Sequence, residues 1–353
     1  MKRSVCVAGG GASGMMAAIA AAKAGAKVTL LEKNDRMGKK ILMTGNGKCN
    51  LTNLDMNISA YYTEDKDSLV GKVLEQFGEK DLVELFKELG MDVTVARDLY
   101  VYPNTQTAAT VLNVLRRALT YYEVMCKTEA TVKNIKKESR SFCIETDKEA
   151  YTADRVIISM GGKSFPKTGS DGAGFLLAKK LGFQVQPDYP ALTALICPVE
   201  GQKIISGLRA DGAVALSIDG KKVFQDFGQI QFTDYGLSGI PVFQISRFAS
   251  QLLWNKGKKE RDRHCIEVKI NLFPHMTREE LYRHIENQLA MFSHMSYEDA
   301  MSGLLHKKWI DFFGRRLGLF KYPDALSIPR KLIKELSYEL TELPFLVEGV
   351  KGY

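Results

Sequence analysis

Three glycines, Gly9, Gly11 and Gly14, stand in the spacing G-x-G-x-x-G near the start of the chain, and an acid, Glu32, follows about 20 residues on. Glycines so spaced serve one kind of chemistry well, the holding of a dinucleotide pyrophosphate by backbone alone. Gly9 permits a tight turn, Gly11 lets the main chain approach phosphate oxygens with no Cβ in the way, and Gly14 lets a helix lie close on a sheet. Ala12 and Ser13 fall between them and would present the first N–H groups of that helix, where the positive end of the dipole faces an anion. Glu32 stands where a carboxylate accepts hydrogen bonds from ribose hydroxyls. The competing reading is a glycine-rich turn in some other α/β protein.

For these residues to act together, Val5 to Ala8 must form a buried strand, the alanine-rich stretch from Ala12 a helix, and the apolar run closing on Glu32 a second, parallel strand. The stretch KNDRMGKKILMTGNGKCNLTN, Lys33 to Asn53, shows neither helical nor strand period, and carries Gly38, Gly45 and Gly47 among basic and amide side chains. An NAD dehydrogenase would continue here into another helix and strand. A glycine-rich basic loop turning back toward the site suits a longer ligand, which favours FAD as resident cofactor. The chain returns to the cofactor at Arg155 to Gly182, where an apolar strand ends in Gly161-Gly162 and Asp171-Gly172 opens another helix. Lys163, Ser164, Lys167, Thr168 and Ser170 offer donors around it.

Composition bounds the rest. With 353 residues, 45% hydrophobic and 25% charged, the chain is ordinary globular material, long enough for more than one core. The net charge of +8 is spread along the chain and favours anionic ligands without marking a nucleic-acid tract, so no nucleic-acid partner is expected. No apolar run reaches membrane-spanning length, and the N-terminus imitates a signal peptide only loosely, so the expected location is cytoplasmic, with no membrane partner. Six scattered cysteines form no C-x-x-C pair, and five late histidines show no ligand spacing, so neither a disulfide framework nor a metal centre is expected.

Helical periods at Val70 to Phe77, Asp81 to Gly90 and Thr107 to Leu119 precede alternating runs from Glu123 to Tyr151 that read as an antiparallel meander. Short strands with turn signals then run from Pro190 to about Asn271, broken by one helical stretch after Gly236. From Thr277 to Leu340 the period is helical, and Met291, Phe292, Met295, Trp309, Phe312 and Phe313 are expected core residues. The architecture expected is α/β, with residues 1–189 a Rossmann-type FAD-binding domain and 190–341 an insert. That insert divides into a β-rich, barrel-like part at 190–273 and a helical part at 274–341. Residues 342–353 would begin a return to the first domain.

Four segments in order, GGGASG, EKNDRMGKKILMTGNGKCNLTN, GGKSFPKTGSDGAG (Gly161 to Gly174) and QFTDYGLSG (Gln231 to Gly239), resemble the HI0933-like family of bacterial NAD(P)/FAD-dependent oxidoreductases. The resemblance runs along essentially the whole chain. It implies a glutathione-reductase-like FAD domain interrupted by an inserted domain, and redox chemistry on enones or on amino-ketones. By similarity Gly9, Gly11, Ala12, Ser13 and Gly14 hold the pyrophosphate, and Glu32 with Lys33 the adenosine ribose. Lys40, Thr44, Gly45, Gly47, Cys49 and Asn50 line the middle and flavin end. In the implied fold the first strand of the meander passes near adenine, which adds Thr131 and its neighbours Ala130 and Val132; Gly161 and Gly162 complete the expected set. Asn46 and Lys48 stand where many relatives have arginine, and Asp234 replaces a histidine. Family members continue beyond LPFLVEGVKGY into a segment that covers the flavin, and this chain is expected to lack that segment and to hold FAD less firmly.

Flavin chemistry transfers hydride through N5 while the protein orients the substrate and excludes water. No second G-x-G-x-x-G is present, so NAD(P)H is expected only as a transient donor. No catalytic acid or base is assigned. Three functions stay open: reduction of a small or apolar enone-like substrate with NAD(P)H, oxidation of an amine or amino-ketone with release of peroxide, and a flavin-containing module that binds RNA or protein. Oligomeric state is not fixed by the sequence.

Overall fold

The computed structural model describes residues 2–61 and 69–353, apart from the Lys258 side chain. The chain divides into two compact units, Met1–Gln186 and Pro187–Tyr353.

The first unit is built on four parallel strands in the order Arg155–Ile158, Ser4–Ala8 (β1), Lys27–Leu31 (β2), Met125–Lys127. β1 is joined to β2 through the helix Ala12–Lys23 (α1), whose alanine content gives it high intrinsic helix propensity and a slim profile against the sheet. Successive side chains of β1 leave on opposite faces, and this period of two sorts the core into halves. Val7 packs with Met15, Ile19, Leu30 and with Leu112, Leu115 and Leu119 of the helix Ala108–Tyr121. Cys6 and Ala8 face the other way, onto Leu31 and Ile144 of the antiparallel meander Val132–Lys137, Phe142–Thr146, Ala150–Ala153. The parallel sheet is thus covered by helices on one face and by a three-stranded sheet on the other, and because β1, β2 and Arg155–Ile158 run parallel, their C-terminal ends lie side by side at one end of the sheet.

The second unit has seven paired strand segments, in the order Leu343–Leu346, Ile266–Asn271, Arg209–Ile218, Lys221–Phe232, Gly236–Ser238, Leu195–Ile196, Gly349–Val350. The first and last of these are consecutive in sequence. One stretch of chain therefore pairs with both edges: Val347 N–H donates to Ile266 at 2.8 Å, and the next residue, Glu348, donates to Ile196 at 2.8 Å. The barrel-like character expected from sequence takes this form, with residues 343–350 as the closing strand. Residues 342–353, expected to begin a return to the first domain, supply that closure in the second unit instead. Their signal was a short apolar run around a proline, which does not reveal its pairing partner.

Helices Ile240–Leu253, Arg278–Met291, Lys307–Arg316 and Arg330–Glu342 surround the core of this unit. Trp309 sets its ring edge-on to Phe232 at 4.8 Å and stacks with Phe313 at 5.5 Å. Trp309, Phe312 and Phe313 are buried as expected, whereas Met291 and Met295 are exposed and Phe292 is half-buried, because they fall where a helix ends and the chain turns. Among the described residues no helix is long and apolar enough to cross a membrane, and no group of His, Cys, Asp or Glu is placed to hold a metal ion.

Candidate functional site: a dinucleotide cleft at the strand ends

At the ends of β1, β2 and Arg155–Ile158 the first unit encloses a cleft of about 330 Å³. Gly9, Gly11, Ala12, Ser13, Glu32, Lys33, Lys40, Thr44 and Gly161, all expected from sequence, line it together with Ala130 and Val132.

Each glycine of the motif meets a different demand. Gly9 has a φ of +106°, and a Cβ there would lie 2.5 Å from the Ser159 carbonyl oxygen. At Gly14 an added Cβ would come to 1.7 Å of the Gly9 oxygen, so this residue sits beneath the cleft and sets the helix-to-strand distance. A Cβ added at Gly11 would meet nothing within 4 Å among the described residues beyond its own chain neighbours and helix, which makes the site a backbone cradle that a Cβ would fill. Gly11 is also the N-cap of α1 and supplies no side-chain cap, so the first N–H groups of the helix remain for an anion. A diphosphate ester fits that arrangement.

Glu32 is almost fully buried, and its carboxylate is held from two sides. Oε2 accepts from the Gly10 N–H at 2.8 Å, and Oε1 accepts from the Asn34 N–H at 2.8 Å and from Asn34 Nδ2 at 2.6 Å. A carboxylate has about four acceptor positions, so one is left open on Oε2. The close approach of Gly10 needs the middle glycine of the GGG run: a Cβ there would meet Met37 Sδ at 2.1 Å.

Three lysines and two carboxylates supply the charge along the cleft. Lys33 pairs with Asp171 at 2.7 Å, and Lys39 with Asp35 at 2.7 Å. Lys40 donates to the Ser164 carbonyl and to Ser170 Oγ, both at 2.6 Å, and its burial lowers its pKa. The Lys33 ammonium, helped by the Ala173 N–H, holds the Asp171 carboxyl below the usual range. These contacts tie the segment after β2 to the loop Gly161–Gly172.

The other expected residues take different places. Gly45, Asn46, Gly47 and Cys49 all have positive φ, between 53° and 82°, and a Cβ on Gly45 would lie 2.6 Å from the Asn50 N–H. Gly45, Gly47 and Asn50 therefore serve the turns of their own loop and do not line the cleft. Cys49 is buried in the helical-side core, where burial raises its thiol pKa despite a bond with Thr44. Thr131 is turned away between its two cleft-lining neighbours, its backbone joined to Asp147 at 2.8 and 3.1 Å. A Cβ added at Gly162 would lie 3.6 Å from the Phe175 ring. Of the donors beyond the glycine pair, Thr168 and Ser170 line the cleft and Lys163, Ser164 and Lys167 do not. Asn34, Lys39, Ile41, Ser159, Met160, Gly169 and Asp171 also line it. The polarity of the loop could have pointed to Asn34; nothing in the period of the chain marks the rest.

Residues 3–302 match the HI0933-like protein Rossmann domain. Over 306 residues the chain is 38% identical to the 3-dehydro-bile acid delta(4,6)-reductase of Clostridium scindens, covering 86% of this chain and 73% of that one. The chain belongs to the HI0933-like family. This HI0933-like protein is accordingly an oxidoreductase and a flavoprotein, with FAD the cofactor that the family indicates. It is also similar to the ribosomal RNA dihydrouridine synthases of Escherichia coli, at 24% identity over 353 residues, and of Haemophilus influenzae, at 25% over 358. Each of those alignments covers 98% of this chain and 82% of the relative.

Proposed function

We propose that this protein is a cytoplasmic reductase of carbon–carbon double bonds conjugated to a carbonyl, acting on a small, largely apolar substrate with NAD(P)H as transient donor. The observation that carries the reading is the 38% identity to a relative named for reducing the delta(4,6) bonds of a 3-dehydro-bile acid, where the alkenes are conjugated to a ketone. Six free cysteines accord with a reducing compartment.

In this reading Gly9, Gly11, Ala12 and Ser13 hold the pyrophosphate against the start of α1, with Gly14 setting how near that helix lies. Glu32 and Lys33 take the adenosine ribose, Ala130 and Val132 flank the adenine, and Lys40, Thr44 and Gly161 lie toward the flavin. FAD, when bound, supplies hydride transfer at N5. The chain's part is to fix the cofactor, keep water from the reacting carbon and hold charge near it. The single dinucleotide motif supports a visiting donor over a second resident nucleotide.

A second reading keeps the chemistry and changes the partner. Uracil carries a 5,6 double bond conjugated to a carbonyl, and two relatives that align along 98% of this chain are named for making dihydrouridine in ribosomal RNA. Their identity is lower, and the expectation of no nucleic-acid partner is opposed only at that distance.

The test is the visible spectrum of the purified protein, followed without oxygen on adding NADH, then NADPH, then a 3-oxo-4,6-diene steroid or a uracil-containing RNA. Bleaching by a nicotinamide and recovery on the steroid is the expected result. Recovery on RNA alone selects the second reading. Flavin indifferent to both nicotinamides, but bleached by an amino-ketone with peroxide formed in air, overturns both in favour of an oxidase.

A further inference from the structure

Asn34 makes four hydrogen bonds that tie Glu32, the loop Gly161–Gly172 and Glu129 together. Its main-chain N–H and its Nδ2 both donate to Glu32 Oε1, at 2.8 and 2.6 Å, and Nδ2 also donates to the Thr168 carbonyl at 3.2 Å. Its own carbonyl accepts from the Glu129 N–H at 2.9 Å. The amide orientation is fixed by chemistry, since a carboxylate and a carbonyl are both acceptors and only the nitrogen can serve the two. Gly169 has a φ of +103°, and a Cβ there would lie 2.7 Å from Asn34 Nδ2, so the loop is shaped to let the amide through.

We infer that Asn34 is a positioning residue for the cofactor. It sets the rotamer of Glu32, leaves one acceptor position of the carboxylate toward the ribose, and couples that contact to the loop Gly161–Gly172. The inference rests on the FAD reading of the cleft. Without Asn34, Oε1 keeps no donor from this residue's side chain, and a buried carboxylate turns toward whatever donor remains. The other charged groups along the cleft are already engaged: Lys33 with Asp171, Lys39 with Asp35, and Lys40 with Ser164 and Ser170. None of those contacts is to Glu32.

The experiment titrates FAD into cofactor-stripped wild type, Asn34→Ala and Asn34→Asp between pH 5 and pH 8, by quenching of flavin fluorescence, with melting temperatures of the stripped proteins alongside. Asn34→Ala is expected to bind FAD roughly tenfold more weakly at every pH, the loss of one hydrogen bond to a charged group. Asn34→Asp is expected to match it at pH 8, where two carboxylates oppose each other, and to recover toward wild type as the pH falls and the introduced carboxyl gains a proton to donate to Glu32. A merely structural role would lower the melting temperatures and give no such pH profile. Variants that bind as wild type does at every pH overturn the inference and leave the FAD reading standing. Wild type that binds no FAD overturns that reading itself.

Discussion

Lys33 Nζ lies 2.7 Å from Asp171 Oδ2, an ion pair that joins the residue following Glu32 to the turn that opens the helix Ala173–Lys180. The pair holds the Asp171 carboxyl below its ordinary pKa. Its stabilisation is therefore fully present above the ordinary carboxylate range and is lost as the pH falls through the lowered value. Asp171 is more than half exposed, so the contribution at neutral pH should stay under about 1 kcal/mol. Urea unfolding of wild type and Asp171→Asn from pH 7 to pH 3 should show a small gap that narrows as the pH drops. A gap that widens would contradict this sign.

Gly11 and Gly14 should part company under the same substitution. Gly11→Ala places a methyl in open space, so the stripped protein should lose no more than about 1 kcal/mol, a cap effect, while FAD retention collapses. Gly14→Ala drives a methyl to 1.7 Å of the Gly9 oxygen and should unfold the first unit or shift α1, despite a gain of about 1 kcal/mol in helix propensity. Circular dichroism melts beside flavin content check both.

Tyr297 is buried, its hydroxyl has no hydrogen-bond partner among the described residues, and burial pushes its pKa well above the usual phenol range. Tyr297→Phe removes the unpaired group and keeps the ring against Phe320 at 5.8 Å. The urea midpoint should stay level or rise, by the equivalent of about 1 kcal/mol. A fall would mean that the hydroxyl has a water or ligand partner.

Glu348→Pro should damage the second unit although Glu348 is an exposed side chain. The substitution deletes the N–H that donates to Ile196 and loosens that sheet edge, while the Val347 bond to Ile266 holds the other. Light scattering that rises with protein concentration, with an earlier urea midpoint, is the expected outcome.

The βαβ start, the glycine tasks and Glu32 were legible because they follow from local spacing. So were the meander and the helical half of the second unit, whose periods are long and regular. The cleft was legible where a residue's type answered a chemical need, as for Lys40, Thr44 and Gly161. It was not where the deciding fact is a direction in space. Thr131 missed by one position because Ala130 and Val132 take the cleft-facing side. The GNGKC run spends its glycines on its own left-handed turns. Asn34 reads as one more polar residue until the path of Gly161–Gly172, more than a hundred residues away, is known.

The closing strand of the second unit bears on how the protein is made. Residues 343–350 reach Ile266–Asn271 and Leu195–Ile196 only after the intervening helices have left the ribosome. At bacterial rates of synthesis that interval is on the order of ten seconds. Throughout it the nascent sheet is an open ribbon with two edges seeking strands, so the step most dependent on chaperones should be the last seam of this unit and not the formation of the nucleotide fold that is synthesised first.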